Sequence, residues 1–64
     1  MTAMPITPGS IVLIASFDEI PEHSFLVDEV FEDCITGTAL TGPLAGEYGE
    51  PDIVLVLQVL AGPT

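Results

Sequence analysis

The side chains that could bind a metal ion lie close together near the start of one acidic segment. They are Asp18, Glu19, Glu22 and His23. Carboxylate oxygens of this kind bind hard cations. However, their spacing matches no calcium-binding loop, and Pro21 stiffens the segment. The sequence therefore predicts a solvated acidic loop without a metal site.

Cys34 is the single cysteine, and it follows two acidic residues, Glu32 and Asp33. Their negative charge disfavours the thiolate, which is the nucleophilic form of cysteine. The chain also has no lysine or arginine that could stabilise an oxyanion. We therefore predict no catalytic residue and no cofactor, with Cys34 as a small core residue and His23 as a surface loop residue.

The composition excludes several classes of function. The 64 residues include ten carboxylates, no lysine and no arginine, so the formal net charge is −10. Because such a chain cannot neutralise phosphates, we expect no direct binding to nucleic acid or to anionic lipid. No apolar run reaches the roughly 20 residues that a transmembrane helix needs. With 48% hydrophobic residues, the chain is too apolar for a disordered acidic tail.

The N-terminal segment and the cysteine content indicate the cellular compartment. Met1–Gly9 carries no charged side chain, so it lacks the positive region of a secretory signal. One cysteine cannot form an intrachain disulfide. We therefore expect a reduced, cytoplasmic protein.

Seven of the ten acids lie between positions 18 and 33, and the other three lie between 47 and 52. A protonated His23 is the one side-chain cation that could pair with them. We therefore expect these carboxylates to face water and to repel one another.

The chain is short enough for one domain with a small core. We divide it into an extended lead-in over residues 1–8, a β domain over 9–61 and a tail over 62–64. The apolar, β-branched segments Ser10–Phe17 and Asp52–Leu60 are typical of strands. Because the second is apolar at almost every position, we predict that it is buried on both faces, or that it is buried on one face and covered by another subunit on the other.

The segment Ser24–Cys34 fits two structures. As a helix it places its apolar residues on one stripe, with its four acids opposite. As a strand it faces Phe25 and Val27 inward, and a bulge near Glu29 lets Val30 join them. We favour the strand because phenylalanine and valine prefer β structure. A hairpin turn at Asp33, or at Thr36-Gly37, would follow it.

The order of these elements resembles a small SH3-like β-barrel of about five short strands. The resemblance is carried by Pro8-Gly9-Ser10-Ile11-Val12, by the loop Asp18–His23 and by the segment Phe25–Val30. The chain has no tryptophan, so it departs from the SH3 domains that bind proline-rich peptides. It is more similar to small bacterial SH3-like proteins that serve as accessory subunits or have no assigned role. The resemblance implies a mainly β fold, and an α+β fold with a helix over 24–34 is the alternative.

The segment Gly42–Pro51 is rich in glycine and proline and contains the single tyrosine, Tyr48. The glycines could present the Tyr48 ring to a partner. Alternatively, Leu44 and Tyr48 could fold back over an open end of the barrel.

We expect a non-catalytic protein-interaction module or accessory subunit. It would dock on a basic or apolar protein surface, or associate with itself as a homo-oligomer. An alternative is an inhibitor that mimics nucleic acid, which requires the carboxylates of 28–33 to line one helix face. The candidate partner-binding residues are Leu44, Glu47, Tyr48, Glu50, Asp28, Glu29 and Glu32.

Overall fold

The computed structural model describes residues 6–62, so the first five residues of the expected lead-in and the last two of the tail lie outside it. These residues form one antiparallel sheet of five strands in the order β4-β3-β2-β1-β5. The strands are β1 (Ile11–Ile14), β2 (His23–Val30), β3 (Ile35–Ala39), β4 (Tyr48–Gly49) and β5 (Val56–Ala61). A short 3-10 helix, Ile53–Leu55, precedes β5.

The prediction of a mainly β fold with five short strands is confirmed. The helix over 24–34 is wrong, because β2 takes up most of that segment and pairs with β1 and with β3. The sheet is not closed into a barrel, since β4 and β5 form its two edges within residues 6–62. The chain between these edges crosses the start of β3, where Ile35 donates to the Pro51 carbonyl at 3.1 Å and Ile53 donates to that of Asp33 at 3.0 Å.

The core lies on one face of the sheet, where alternate residues of β1, β2 and β3 point inward. Its six buried hydrophobic residues are Val12, Ile14, Phe25, Val27, Ile35 and Ala39. Leu44 and Val59 are among the half-buried residues that pack against it. The two strand segments that the sequence marks as most apolar therefore contribute unequally: β1 enters the core and β5 lies at its margin.

The predicted bulge in β2 is present, as a register shift between Val27 and Glu29. Val30 nevertheless stays 38% exposed and does not join the core. The hairpin turn lies at the first of the two expected places, because Phe31 donates to the Cys34 carbonyl at 2.8 Å. Thr36 and Gly37 belong to β3 instead.

The last strand begins later than predicted and is not buried on both faces within the chain, whereas cover of one face by another subunit stays a prediction. Asp52 caps the 3-10 helix, with its Oδ1 accepting from the Val54 backbone N–H at 3.3 Å, so the first residues of the apolar run are not strand. The remainder, β5, pairs with β1 on one side and is an edge strand. Consequently Val54, Leu57 and Leu60 are 77%, 54% and 47% exposed.

Two further single-residue predictions need correction. His23 is buried at the start of β2 rather than exposed in a loop, with its Nδ1 2.8 Å from the Pro21 carbonyl and its ring 6.2 Å from that of Phe17. These contacts fix the side chain, which the polar surroundings in sequence do not indicate. Cys34 is half-buried beside the turn and is not one of the core residues.

Candidate functional site

The charged side chains on the surface of the protein are all acidic. All ten carboxylate side chains are exposed, which confirms that they face water. Since the chain has no lysine or arginine, the field around them is compensated mainly by solvent ions. Any charged partner that this field attracts is therefore cationic.

The most distinctive point on this surface is Tyr48 in the edge strand β4. Its side chain is 62% exposed, and its hydroxyl donates a hydrogen bond to Oε2 of Glu50 at 3.1 Å. The two residues are two positions apart in an extended segment, which places both side chains on one face. The bond therefore favours one position of the ring, which remains largely exposed.

The sheet brings a third predicted residue into this region. Tyr48 pairs with Thr38 of β3, and Glu29 of β2 pairs with Thr36, the neighbouring outward position on β3. Glu29 and Glu50 therefore lie on the same side of the sheet as the ring. We call Tyr48, Glu50 and Glu29 the Tyr48 patch.

The ionisation of Tyr48 reflects these neighbours. Partial removal of the phenol from water raises its pKa, and the hydrogen bond to Glu50 and the negative charges of Glu50 and Glu29 raise it further. A contact with Thr36 acts in the opposite direction. Below pH 10 the phenol thus remains a neutral hydrogen-bond donor next to two carboxylates.

A pocket of about 450 Å³ opens beside the patch. Its apolar lining includes the core residues Ile14 and Phe25 and the half-buried Leu44, and three carboxylates line it as well. Those acidic residues are Glu47, Glu50 and Asp52. An apolar cavity edged with negative charge suits a side chain that has an aliphatic stem and a cationic end.

The seven candidate residues are thus divided among four places. Tyr48, Glu50 and Glu29 form the Tyr48 patch, while Leu44 and Glu47 line the pocket. Asp28 lies at the bulge of β2 and Glu32 in the turn that follows. The row of carboxylates along one helix face that the nucleic-acid mimic requires is absent from this segment.

Leu44 and Tyr48 have different environments. Leu44 packs against the core, as expected if the loop covers an open end of the sheet. Tyr48 projects from the surface instead.

Several pocket residues could not be identified from the sequence. Leu55 lies more than 30 residues beyond Phe17 and His23 in the chain, and it meets them where the loop after β1, the start of β2 and the 3-10 helix converge. Their spacing in the sequence does not predict the pocket. Asp52 carried a signal, as an acid directly before an apolar run, and it lines the pocket beside Glu50.

Cys34 does not have the environment of a nucleophile. Desolvation raises its pKa above the ordinary value of 9.0, and the charges of Asp33, Glu50 and Asp52 raise it further. The thiol is therefore protonated at neutral pH. Within residues 6–62, no three histidine, cysteine or acidic side chains are grouped so that they could hold a metal ion.

Comparison with known proteins gives no relative. No family model, no curated protein and no solved structure matches this chain. Among residues 6–62 there is also no helix with the length and apolar character needed to cross a membrane.

Proposed function

We propose that this protein is a non-catalytic interaction module that binds a basic protein partner through the Tyr48 patch and the adjoining pocket. The observation that carries the proposal is the exposed Tyr48 ring, which donates a hydrogen bond to Glu50 at an acidic edge of the sheet that also borders an apolar pocket. An arginine or lysine of the partner would stack on the ring and pair with Glu50 and Glu29. A neighbouring apolar side chain of the partner would enter the pocket, which is lined by residues of the core face.

The charge of the chain supports a cationic partner. Like-charged surfaces are repelled by a molecule of formal charge −10, whereas basic ones are attracted over about one Debye length. Binding should therefore be fast at low salt and should weaken as ionic strength rises. A cytoplasmic partner with an exposed arginine or lysine segment fits these requirements.

The finer fold assignment belongs to the same proposal. The antiparallel order of the five strands and the crossing of residues 51–53 over the start of β3 support an SH3-like domain. In that case the protein acts as a small accessory subunit of bacterial type.

The test is a titration of the isotope-labelled protein with two synthetic peptides followed by NMR. One peptide alternates leucine with arginine, and the other alternates leucine with glutamine. We expect the arginine peptide to shift the amide signals of Tyr48, Gly49 and Glu50, and 0.5 M salt to reduce its affinity. Equal binding of the two peptides would contradict the proposal.

Variants define the site. The substitutions Glu29→Gln and Glu50→Gln together should weaken binding about tenfold or more, since they remove both partners of the cation. The control is Asp18→Asn with Glu19→Gln, which removes the same charge in the turn after β1, outside the pocket lining. If the control weakens binding as much as the double variant, the interaction depends on net charge and not on the Tyr48 patch.

A further inference from the structure

The pocket beside the Tyr48 patch contains one polar ring to which the proposed function gives no role. His23 lines the pocket and is 5% exposed. Its Nδ1 lies 2.8 Å from the Pro21 carbonyl. Because a carbonyl only accepts hydrogen bonds, this contact requires the proton on Nδ1, and Nε2 of the neutral ring is then an acceptor.

The Nε2 atom of His23 is accessible to a ligand. Within residues 6–62 the ring makes its hydrogen bond through Nδ1, and Nε2 makes none. In the same part of the chain, every fully buried side-chain nitrogen or oxygen has a hydrogen-bond partner. Nε2 is therefore not sealed inside the protein, and the pocket is the space that gives access to it. A polar atom at such a place needs a partner from water or from a ligand.

The other polar side chains of the pocket are acceptors as well. They include the carboxylates of Glu47, Glu50 and Asp52, and the Tyr48 hydroxyl already donates to Glu50. A ligand group that only donates suits this set, whereas a hydroxyl would place its own lone pairs among acceptors. The indole of tryptophan has one N–H donor and no acceptor. We propose that the pocket binds a tryptophan side chain of the basic partner, with the indole N–H donating to Nε2 of His23.

The apolar lining of the pocket suits the rest of the indole. Phe17, Phe25 and Leu44 contribute to it, and the volume of about 450 Å³ lies within the usual range of ligand pockets, about 300–1,000 Å³. Tryptophan and arginine are also the residues that most often dominate the energy of an interface. The inference rests on the proposed function, since it takes the indole and the cation at the Tyr48 patch from the same partner.

The test compares three synthetic peptides that alternate leucine with arginine and differ in one central residue. That residue is tryptophan, alanine, or benzothienylalanine, in which sulfur replaces the indole N–H. In calorimetric titrations the tryptophan peptide should have a dissociation constant at least about tenfold lower than the benzothienylalanine peptide, because the sulfur leaves Nε2 without a donor. The alanine peptide should bind more weakly still, since it leaves the pocket unfilled. Equal affinity of the tryptophan and benzothienylalanine peptides would overturn the proposal.

Fluorescence reports on the surroundings of the indole, because the chain itself has no tryptophan. Entry into the pocket should move the emission of the tryptophan peptide to shorter wavelength. An unchanged emission in the bound peptide would show that the indole stays in water, and would reject the proposal.

A variant tests the hydrogen bond itself. His23→Phe keeps an aromatic ring beside Phe17 but removes Nε2. It should therefore bind the tryptophan and benzothienylalanine peptides with equal affinity, so the tenfold difference should disappear. A difference that persists in the variant would place the donor of the indole elsewhere and contradict the proposal.

A measurement on the wild type covers the case in which His23→Phe does not fold. Nitrogen NMR of the labelled imidazole distinguishes a protonated ring nitrogen from a bare one. The free protein should have its proton on Nδ1, and the tryptophan peptide should shift the Nε2 signal more than the benzothienylalanine peptide does. A proton on Nε2 of the neutral ring in the free protein would overturn the proposal.

Replacing the arginines of all three peptides by glutamine separates this inference from the proposed function. If the arginine peptides bind better but tryptophan gives no gain over benzothienylalanine, the pocket does not bind an indole and the proposed function stands. If the gain from tryptophan persists but glutamine peptides bind as tightly as arginine peptides, the proposed function fails and the pocket still binds the indole.

Discussion

One row of paired residues crosses the outer face of the sheet, and its neighbours are acidic at one end and apolar at the other. It runs from Tyr48 through Thr38, Leu26 and Ile11 to Ala61. At the β4 edge the row lies beside Glu50 and Glu29, and at the β5 edge it lies beside Leu57 and Leu60. A single sheet thus has an anionic aromatic end and an uncharged apolar end. The difference shows that a chain without lysine or arginine can still divide one sheet into an acidic end and an uncharged apolar end.

The largest expected effect is a loss of stability when the close contact between β2 and β3, in the middle of the sheet, is disturbed. A Cβ atom at Gly37 would collide with the backbone carbonyl of Leu26 and would lie 2.9 Å from the Phe25 ring. Gly37→Ala should therefore destabilise the fold by about 3 kcal/mol or more, because both neighbours are held in the sheet. Urea unfolding followed by circular dichroism measures the change.

Gly49→Ala is the matched control for this substitution. Gly49 pairs with Gly37 across β3 and β4, but its Cβ would meet the Phe25 ring at an ordinary 3.7 Å. We expect a change in the free energy of unfolding of within about 1 kcal/mol. Similar losses in the two variants would show that the contact between β2 and β3 does not set the packing of the sheet.

The next expected effect is a change in the melting temperature with salt, which should depend on the acidic residues and not on the apolar end of the sheet. Because ten exposed carboxylates have no lysine or arginine to pair with, they repel one another in the folded chain. Raising the salt from about 0.01 M to 0.1 M shortens the Debye length from roughly 30 to 10 Å and should raise the melting temperature. Calorimetry at fixed protein concentration measures the shift.

Substitution locates the source of this salt dependence. Asp28→Asn with Glu32→Gln lowers the repulsion near the β2–β3 turn, so it should reduce the salt-induced rise. Leu57→Gln, at the uncharged end, should leave the rise unchanged. A melting temperature that stays flat or falls between low and moderate salt would contradict the repulsion itself.

The contrast between the two ends also explains which features the sequence predicts. Local patterns suffice for the strand character of Phe25 and Val27, for the bulge near Glu29 and for the exposure of the acids. Each depends on residue type and on neighbours in the chain. The Tyr48 patch depends on strand pairing, since Glu29 reaches Tyr48 through β3. Pairing between segments almost 20 residues apart leaves no periodic signal.

The misplacement of the last strand has the same origin. Hydrophobicity alone indicates burial on both faces, but burial also requires a neighbour on each side. Asp52 diverts the first part of the run into a 3-10 helix, and the sheet ends at β5. His23 is the reverse case, because a polar residue among polar neighbours is buried by the Pro21 carbonyl and the Phe17 ring.

The smallest effect tests the electrostatics of the aromatic end directly. The pKa of Tyr48 is raised above its ordinary value of 10.0 by desolvation and then by Glu50. Glu50→Gln removes the charge and the carboxylate acceptor, so the phenol should titrate at a lower pH in an ultraviolet absorbance titration. Glu47→Gln is the matched control, because Glu47 lines the pocket but makes no hydrogen bond to the phenol. This substitution should leave the pKa of Tyr48 unchanged.

The same shift has a consequence for stability. The native state holds the Tyr48 proton more tightly than the unfolded chain does, so this contribution is complete below pH 10 and is lost as the pH rises through the higher native pKa. The loss should be smaller in Glu50→Gln than in Glu47→Gln. If the two variants lose stability equally between pH 9 and 11, Glu50 does not hold the ring, and the aromatic end of the sheet is no more ordered than the rest of its surface.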